Sequence, residues 1–258
     1  MKLNLEGKIA IVTGGAVGIG KGIVSCFANE GATVVIADLD LEAAEKTANE
    51  LGNNVEAVKL DVTDKQDVES IVKSTQERHG KIDILVNNAG ISRPIKFVDI
   101  EPEEWDQKFN VNVKGVYLVT RAVLPGMMER RYGKIINIAS MVAKEAIPDF
   151  SHYSSTKFAV MGLTQALAKE YAEYDINVNA VCPGVVRTSL WNEVLLPDMG
   201  KQQGITPDEA FDKFCETIPL GRAQTPEDIG NMVAYLASDI ARNMTGQGIN
   251  VTSGQQMH

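Results

Sequence analysis

Tyr153 and Lys157 stand four residues apart in HYSSTKFAV, residues 152–160, where a helical pattern begins. On a helix that spacing is one turn, so the two side chains share a face. A phenol becomes a useful acid or base near neutral pH only when something stabilises its anion, because its ordinary pKa is ~10. An ammonium ~5 Å away, at an effective dielectric of ~20, favours the phenolate by roughly 3 kcal/mol. At ~1.4 kcal/mol per unit that lowers the pKa by about two.

A second cluster lies at the other end of the chain. IAIVTGGAVGIGKGIV reads as strand, glycine-rich turn and helix. Gly14 opens the tight turn, Gly18 lets backbone approach a pyrophosphate, and Gly20 permits close helix–strand packing. The amides at the helix N-terminus then hold phosphates. The second strand ends in Asp38, 18 residues past Gly20, where a carboxylate accepts hydrogen bonds from adenosine ribose hydroxyls and repels a 2′-phosphate. Ala16 and Val17 offer no basic residue for that phosphate. NAD is therefore expected over NADP.

Elements must deliver these groups to one place. Short apolar runs at 9–13, 33–37, 55–60, 82–87, 134–138, 177–181 and 248–251 alternate with amphipathic stretches at 18–29, 41–51, 64–79, 103–130, 153–173 and 226–238. The alternation predicts an α/β fold, a doubly wound, mostly parallel seven-stranded sheet with helices on both faces. TPDE at 206 and TPED at 225 each put Thr at a helix cap, Pro at the first position and an acid three after the cap. No repeat or composition break divides the 258 residues, so a single domain over 1–258 is expected, with an irregular lid around 185–220.

Composition narrows the function. The formal net charge of −9 argues against a nucleic-acid partner, since duplex binding relies on a basic footprint. No apolar run approaches the ~18 residues of a membrane span. MKLNLEGKIAIVTGG lacks the apolar core of a secretory leader. Cys26, Cys182 and Cys215 are widely spaced and read as buried thiols of a reducing cytoplasm. His79, His152 and His258 show no metal-ligand spacing, so no metal is expected.

Taken together, TGGAVGIG (13–20), DV (61–62), NNAG (87–90), NVKG (112–115), IAS (138–140), YSSTK (153–157) and PGVVRT (183–188) closely resemble the short-chain dehydrogenase/reductase family in its one-domain Rossmann-type form. The likeness spans nearly the whole chain. It implies an NAD-dependent oxidoreductase in which Tyr153 exchanges a proton with the substrate's alcohol or carbonyl oxygen, helped by the positive charge of oxidised nicotinamide. Lys157 would also hold the nicotinamide ribose, Ser140 the reacting oxygen, and Asn112 a water linking Lys157 to solvent. The cofactor would run along Gly14, Val17, Gly18, Ile19, Gly20, Asp38, Leu39, Asp61, Val62, Asn88, Ala89, Gly90, Tyr153, Lys157, Pro183, Gly184, Val186 and Thr188. Asn87 is expected to be structural, and Phe158, Leu163 and Leu167 to be core contacts. By the same likeness, the helices at 103–130 and 153–173 pack against copies of themselves in a homotetramer.

Within the family, NVNVKGVY, YSSTKFAVMGLTQ, PGVVRTSLW and TGQGINVTSGQQM resemble acetoin/diol and polyol dehydrogenases. A small neutral diol, polyol or hydroxyketone is then the expected substrate, held by Ser140 and Tyr153. Arg93, Lys144 and Arg187, if they converge, would instead grip a phosphate, as in a sorbitol-6-phosphate dehydrogenase. Met141, Val142, Ile147, Leu190 and Trp191 would supply apolar wall, which also suits a hydroxysteroid or bulkier alcohol. A non-catalytic NAD-sensing protein would be expected to lack Tyr153 or Lys157, and both are present.

Overall fold

Every residue of Ile9–Thr13 is buried, which a strand reaches only when both faces of its sheet are covered. The computed structural model describes residues 3–52, 54–188, 191–192 and 196–258. The strands are β1 (Ile9–Thr13), β2 (Thr33–Asp38), β3 (Val55–Lys59), β4 (Ile84–Asn87), β5 (Gly133–Ile138), β6 (Ile176–Pro183) and β7 (Gly248–Val251). They pair in parallel in the order β3-β2-β1-β4-β5-β6-β7. The helices are α1 (Gly18–Asn29), α2 (Leu41–Leu51), α3 (Lys65–His79), α4 (Pro102–Phe109), α5 (Val116–Arg130), α6 (Ser151–Glu170), α7 (Leu196–Gln203), α8 (Pro207–Cys215) and α9 (Pro226–Ala237).

Alternation along the strands builds two cores. Ala10, Val12, Val34, Ile36 and Ile136 meet Ile23, Phe27, Ile229 and Val233 of α1 and α9. Their neighbours Ile11, Val35, Leu85, Ile135 and Val178 meet Val68 and Val72 of α3 and Val119, Val123 and Met127 of α5. The doubly wound reading of the sequence is thus met, and all seven strands lie where the apolar runs placed them. The order reverses at β1, which pairs with β2 on one side and β4 on the other. In open α/β sheets the crevice beyond the carboxyl ends at such a point is where ligands bind. Among the described residues no helix is long and apolar enough to cross a membrane.

Two elements differ from the sequence reading. The single helix expected over 103–130 is α4 and α5 joined by a π-helical turn, Asn110–Gly115. The wider turn buries Asn112 and presses Gly115 against Val62, where an added Cβ would sit 2.8 Å from Val62 Cγ2. Phe158 is not a core contact: it is 46% exposed. α6 turns Lys157, Val160, Thr164 and Ala168 inward, and at 3.6 residues per turn Phe158 falls on another face. Leu163 and Leu167 do pack against the cores. The irregular stretch after β6 carries α7 and α8. α8 starts at Thr206 as its sequence indicates, with Thr206 Oγ1 accepting from the Glu209 amide (3.2 Å) and Glu209 Oε2 accepting from the Thr206 amide (2.8 Å).

Candidate functional site

The turn after β1 is built for close approach. Gly14 and Gly18 hold φ of 61° and 56°, a region that glycine enters without steric cost. A Cβ on Gly20 would lie 2.0 Å from the Gly14 carbonyl oxygen. The loop is braced from both sides. Asn88 Nδ2 donates to the Thr13 and Gly14 carbonyls (3.1 and 2.7 Å), and the Ala16 amide donates to Asp38 Oδ2 (3.0 Å). Asp38 Oδ1 accepts from the Asp40 amide (3.1 Å), so each carboxylate oxygen keeps a lone pair for a further donor.

From this loop a cleft of about 740 Å³ runs over the carboxyl ends of the strands. Every residue that the sequence assigned to the cofactor lines it, from Gly14, Val17 and Asp38 through Asp61, Val62 and Asn88 to Pro183, Gly184, Val186 and Thr188. Ser140, Tyr153, Lys157 and Trp191 line it too. The residues present fit a dinucleotide: a glycine cradle in which a Cβ on Gly14 or Gly20 would clash, an available carboxylate at the end of β2, and a volume within the usual ~300–1,000 Å³ of ligand sites.

α6 presents Tyr153 and Lys157, and the end of β5 presents Ser140. Lys157 is 5% exposed; its Nζ donates to the Ile138 carbonyl (2.8 Å) and lies 5.5 Å from the Tyr153 ring centre. Burial pushes the Tyr153 phenol up to about 12, and the Ser140 hydroxyl beside it pulls the other way. Burial lowers Lys157 to about 8, against a small upward pull from Cys182. The phenol thus stands above its ordinary value, where the sequence reading has Lys157, together with an oxidised nicotinamide, lower it. Desolvation dominates the phenol, and the ammonium, held by a carbonyl, is itself lowered by burial.

Asn112, 1% exposed, clamps the loop after β4. Its Oδ1 accepts from the Ile91 amide (2.8 Å), and its Nδ2 donates to the Ile91 carbonyl (2.9 Å) and to Thr156 Oγ1 (3.1 Å). With both amide hydrogens engaged, the side chain positions this loop against α6. Asn87 ties β4 to its surroundings, donating to Thr120 Oγ1 (3.0 Å) and Asn137 Oδ1 (2.8 Å), as its sequence reading held.

The three basic residues expected at the mouth are not brought together. Arg93 pairs with Glu104 (3.6 Å), Lys144 Nζ donates to the Gly248 carbonyl (2.8 Å), and Arg187 pairs with Asp208 and Asn192 while stacking on Phe211 (4.8 Å). None of them lines the cleft. Of the expected apolar wall, Trp191 lines it among the described residues, whereas Met141, Val142 and Ile147 do not; Leu190 lies outside the described residues. Ile91, Ser92, Gln107 and Val111 line it instead. The sequence signal for them was proximity: Ile91 and Ser92 follow NNAG, and Gln107 and Val111 flank the start of the π-helical turn.

Comparison with known proteins agrees with this geometry. A family model described as enoyl-(acyl carrier protein) reductase matches residues 14–256. The chain is 38% identical over 255 residues to the 3-oxoacyl-(acyl-carrier-protein) reductase FabG of Thermotoga maritima, spanning 98% of this chain and 99% of that one. It is 39% identical over 256 residues to the galactitol 2-dehydrogenase of Agrobacterium fabrum, spanning 99% and 100%. A crystal structure of the 3-ketoacyl-(acyl-carrier-protein) reductase of Brucella melitensis complexed with NADH superposes with a TM-score of 0.89 at 37% identity, covering 98% and 100%. A glycine cradle, a serine, a tyrosine and a lysine on one cleft, in a chain that matches such relatives from end to end, make this protein an oxidoreductase of the short-chain dehydrogenase/reductase family.

Proposed function

We propose that the protein is an NAD-dependent dehydrogenase that interconverts a secondary alcohol of a small diol or polyol and the corresponding ketone. The observation that carries this reading is the placement of Ser140, Tyr153 and Lys157 in the same cleft as the glycine loop and Asp38. Tyr153 donates its proton to the substrate oxygen in reduction and takes it back in oxidation. Ser140 hydrogen-bonds the same oxygen and fixes it in line with the phenol. Lys157, whose Nζ donates to the Ile138 carbonyl, would hold the nicotinamide ribose hydroxyls, and Asn112 keeps the β4 loop in place and would hold a water linking Lys157 to solvent. A bound dinucleotide would supply or accept the hydride.

Asp38, at the end of β2, lines the cleft, and a carboxylate there favours ribose hydroxyls over a 2′-phosphate. The NADH in the Brucella melitensis enzyme's structure supports the same choice, and the galactitol 2-dehydrogenase relative supports a polyol. A phosphorylated polyol has less support, because Arg93, Lys144 and Arg187 are engaged elsewhere. A second reading, reduction of a 3-oxoacyl thioester, is favoured by the FabG relative. We further propose that the enzyme works in the cytoplasm as a homotetramer.

The test is a panel read by NADH absorbance: galactitol, 2,3-butanediol, acetoin, a hexitol phosphate and a 3-oxoacyl thioester, each with NAD(H) and NADP(H). Preference for the free polyol or diol with NAD is expected. Turnover confined to the thioester would establish the second reading, and tight NAD binding without turnover would mark a sensor.

A further inference from the structure

We propose that Ser92 and Gln107, together with Trp191, select substrates that carry hydroxyl groups beside the reacting carbon; the assignment rests on the dehydrogenase reading and adds its specificity. The three residues line the cleft along with Ser140 and Tyr153. Ser92 follows Ile91, whose amide and carbonyl are both held by Asn112, and Asn112 bonds Thr156, the residue before Lys157. The Ser92 backbone is thus anchored to the helix that carries the acid/base pair.

The Ser92 hydroxyl is buried and has no hydrogen-bond partner. Such a group loses nothing by turning on χ1 to meet a ligand hydroxyl, and it gains the bond it lacks. Gln107 sits in the last turn of α4 at the exposed edge of the same wall, where its amide offers both a donor and an acceptor. Trp191 is a braced surface: its ring packs on Phe211 (5.7 Å) and Phe214 (5.0 Å) of α8. An indole face suits the C–H side of a carbon chain whose hydroxyls point the other way. Among the described lining residues the one cation is Lys157. The wall therefore recognises neutral hydroxyls rather than charge.

The test compares Ser92→Ala and Gln107→Leu with the unmodified enzyme on galactitol and on 2-butanol, which carries no neighbouring hydroxyl. Each variant is expected to lose about three- to ten-fold in kcat/KM on galactitol, mostly through KM, and less than about two-fold on 2-butanol. Unchanged melting and NADH affinity would show that the fold and cofactor site are intact. Equal losses on both alcohols, or no loss on galactitol, overturn the assignment and leave the dehydrogenase reading standing. An unmodified enzyme that oxidises 2-butanol but no polyol overturns it likewise. Failure to oxidise any alcohol overturns both.

Discussion

Tyr153 and Lys157 are displaced in opposite directions, the phenol up to about 12 and the ammonium down to about 8, with burial the larger cause of each. Their spacing was legible in the sequence, since one helical turn fixes which side chains are neighbours. Their solvation was not, because it depends on how β5, α6 and the β4 loop close around them. Tyr153→Phe should cut turnover by roughly 10²–10⁴ with the fold intact; near-normal rates would remove the assigned role. The Lys157 shift also makes a stability prediction. Between about pH 8 and 10.5 the unfolded chain holds a proton on this lysine that the folded chain has released, so stability rises with pH through that window. The rise from this group should be about 3 kcal/mol. Lys134 is also lowered by burial, so denaturation of Lys157→Met alongside the parent isolates the effect. An equal rise in both proteins would show that the group is not the source. At Asp38, replacement by Ala should weaken both cofactors, because the carboxylate also braces the Ala16 amide. The readout is therefore the ratio, and an unchanged NAD/NADP preference counts against the ribose contact.

The helices and strands were largely legible, because continuous apolar runs and capped amphipathic stretches are local signals. Thr225 and Asp228 form the capping box that TPED announces, with hydrogen bonds of 3.2 and 2.8 Å. The π-helical turn was not legible: its cause is tertiary, the clamp of Asn112 on Ile91 and the contact of Gly115 with Val62. The closeness of α1 and α9 was also hidden. A Cβ on Gly230 would lie 2.6 Å from the Gly22 carbonyl oxygen and 2.7 Å from Cys26 Sγ, and one on Gly22 would lie 2.5 Å from the Pro226 carbonyl carbon. Backbone cannot yield to such contacts as a flexible side chain does, so Gly230→Ala should destabilise by about 1–3 kcal/mol. Because α1 carries the cofactor loop on its first turn, NADH affinity should fall as well. A melt and an NADH titration check this together; loss of stability without loss of affinity would mean that the loop is held by Asn88 and Asp38 alone.

At the scale of the molecule, composition argues against a nucleic-acid partner but says nothing of copies of the chain itself. α6 carries Phe158, Gly162 and Ala166 at successive four-residue steps on its exposed side, and Tyr117 of α5 is 50% exposed. A large ring beside small residues is a surface that a second helix can enter closely, and exposed apolar patches of this kind mark interaction sites. A matching patch on a second copy would satisfy it by two-fold symmetry. The net charge of −9 opposes self-association through long-range repulsion, so assembly should tighten as salt screens it. Sedimentation of the unmodified protein should give about four times the 28.0 kDa chain mass. Phe158→Glu, which places a charge in the proposed seam, should shift the mass to a smaller species without lowering the helix content. A protein that sediments as a single chain at every salt concentration would overturn the tetramer, and a Phe158→Glu variant with the parent's mass would place the interface elsewhere; either result leaves Phe158 an isolated exposed ring.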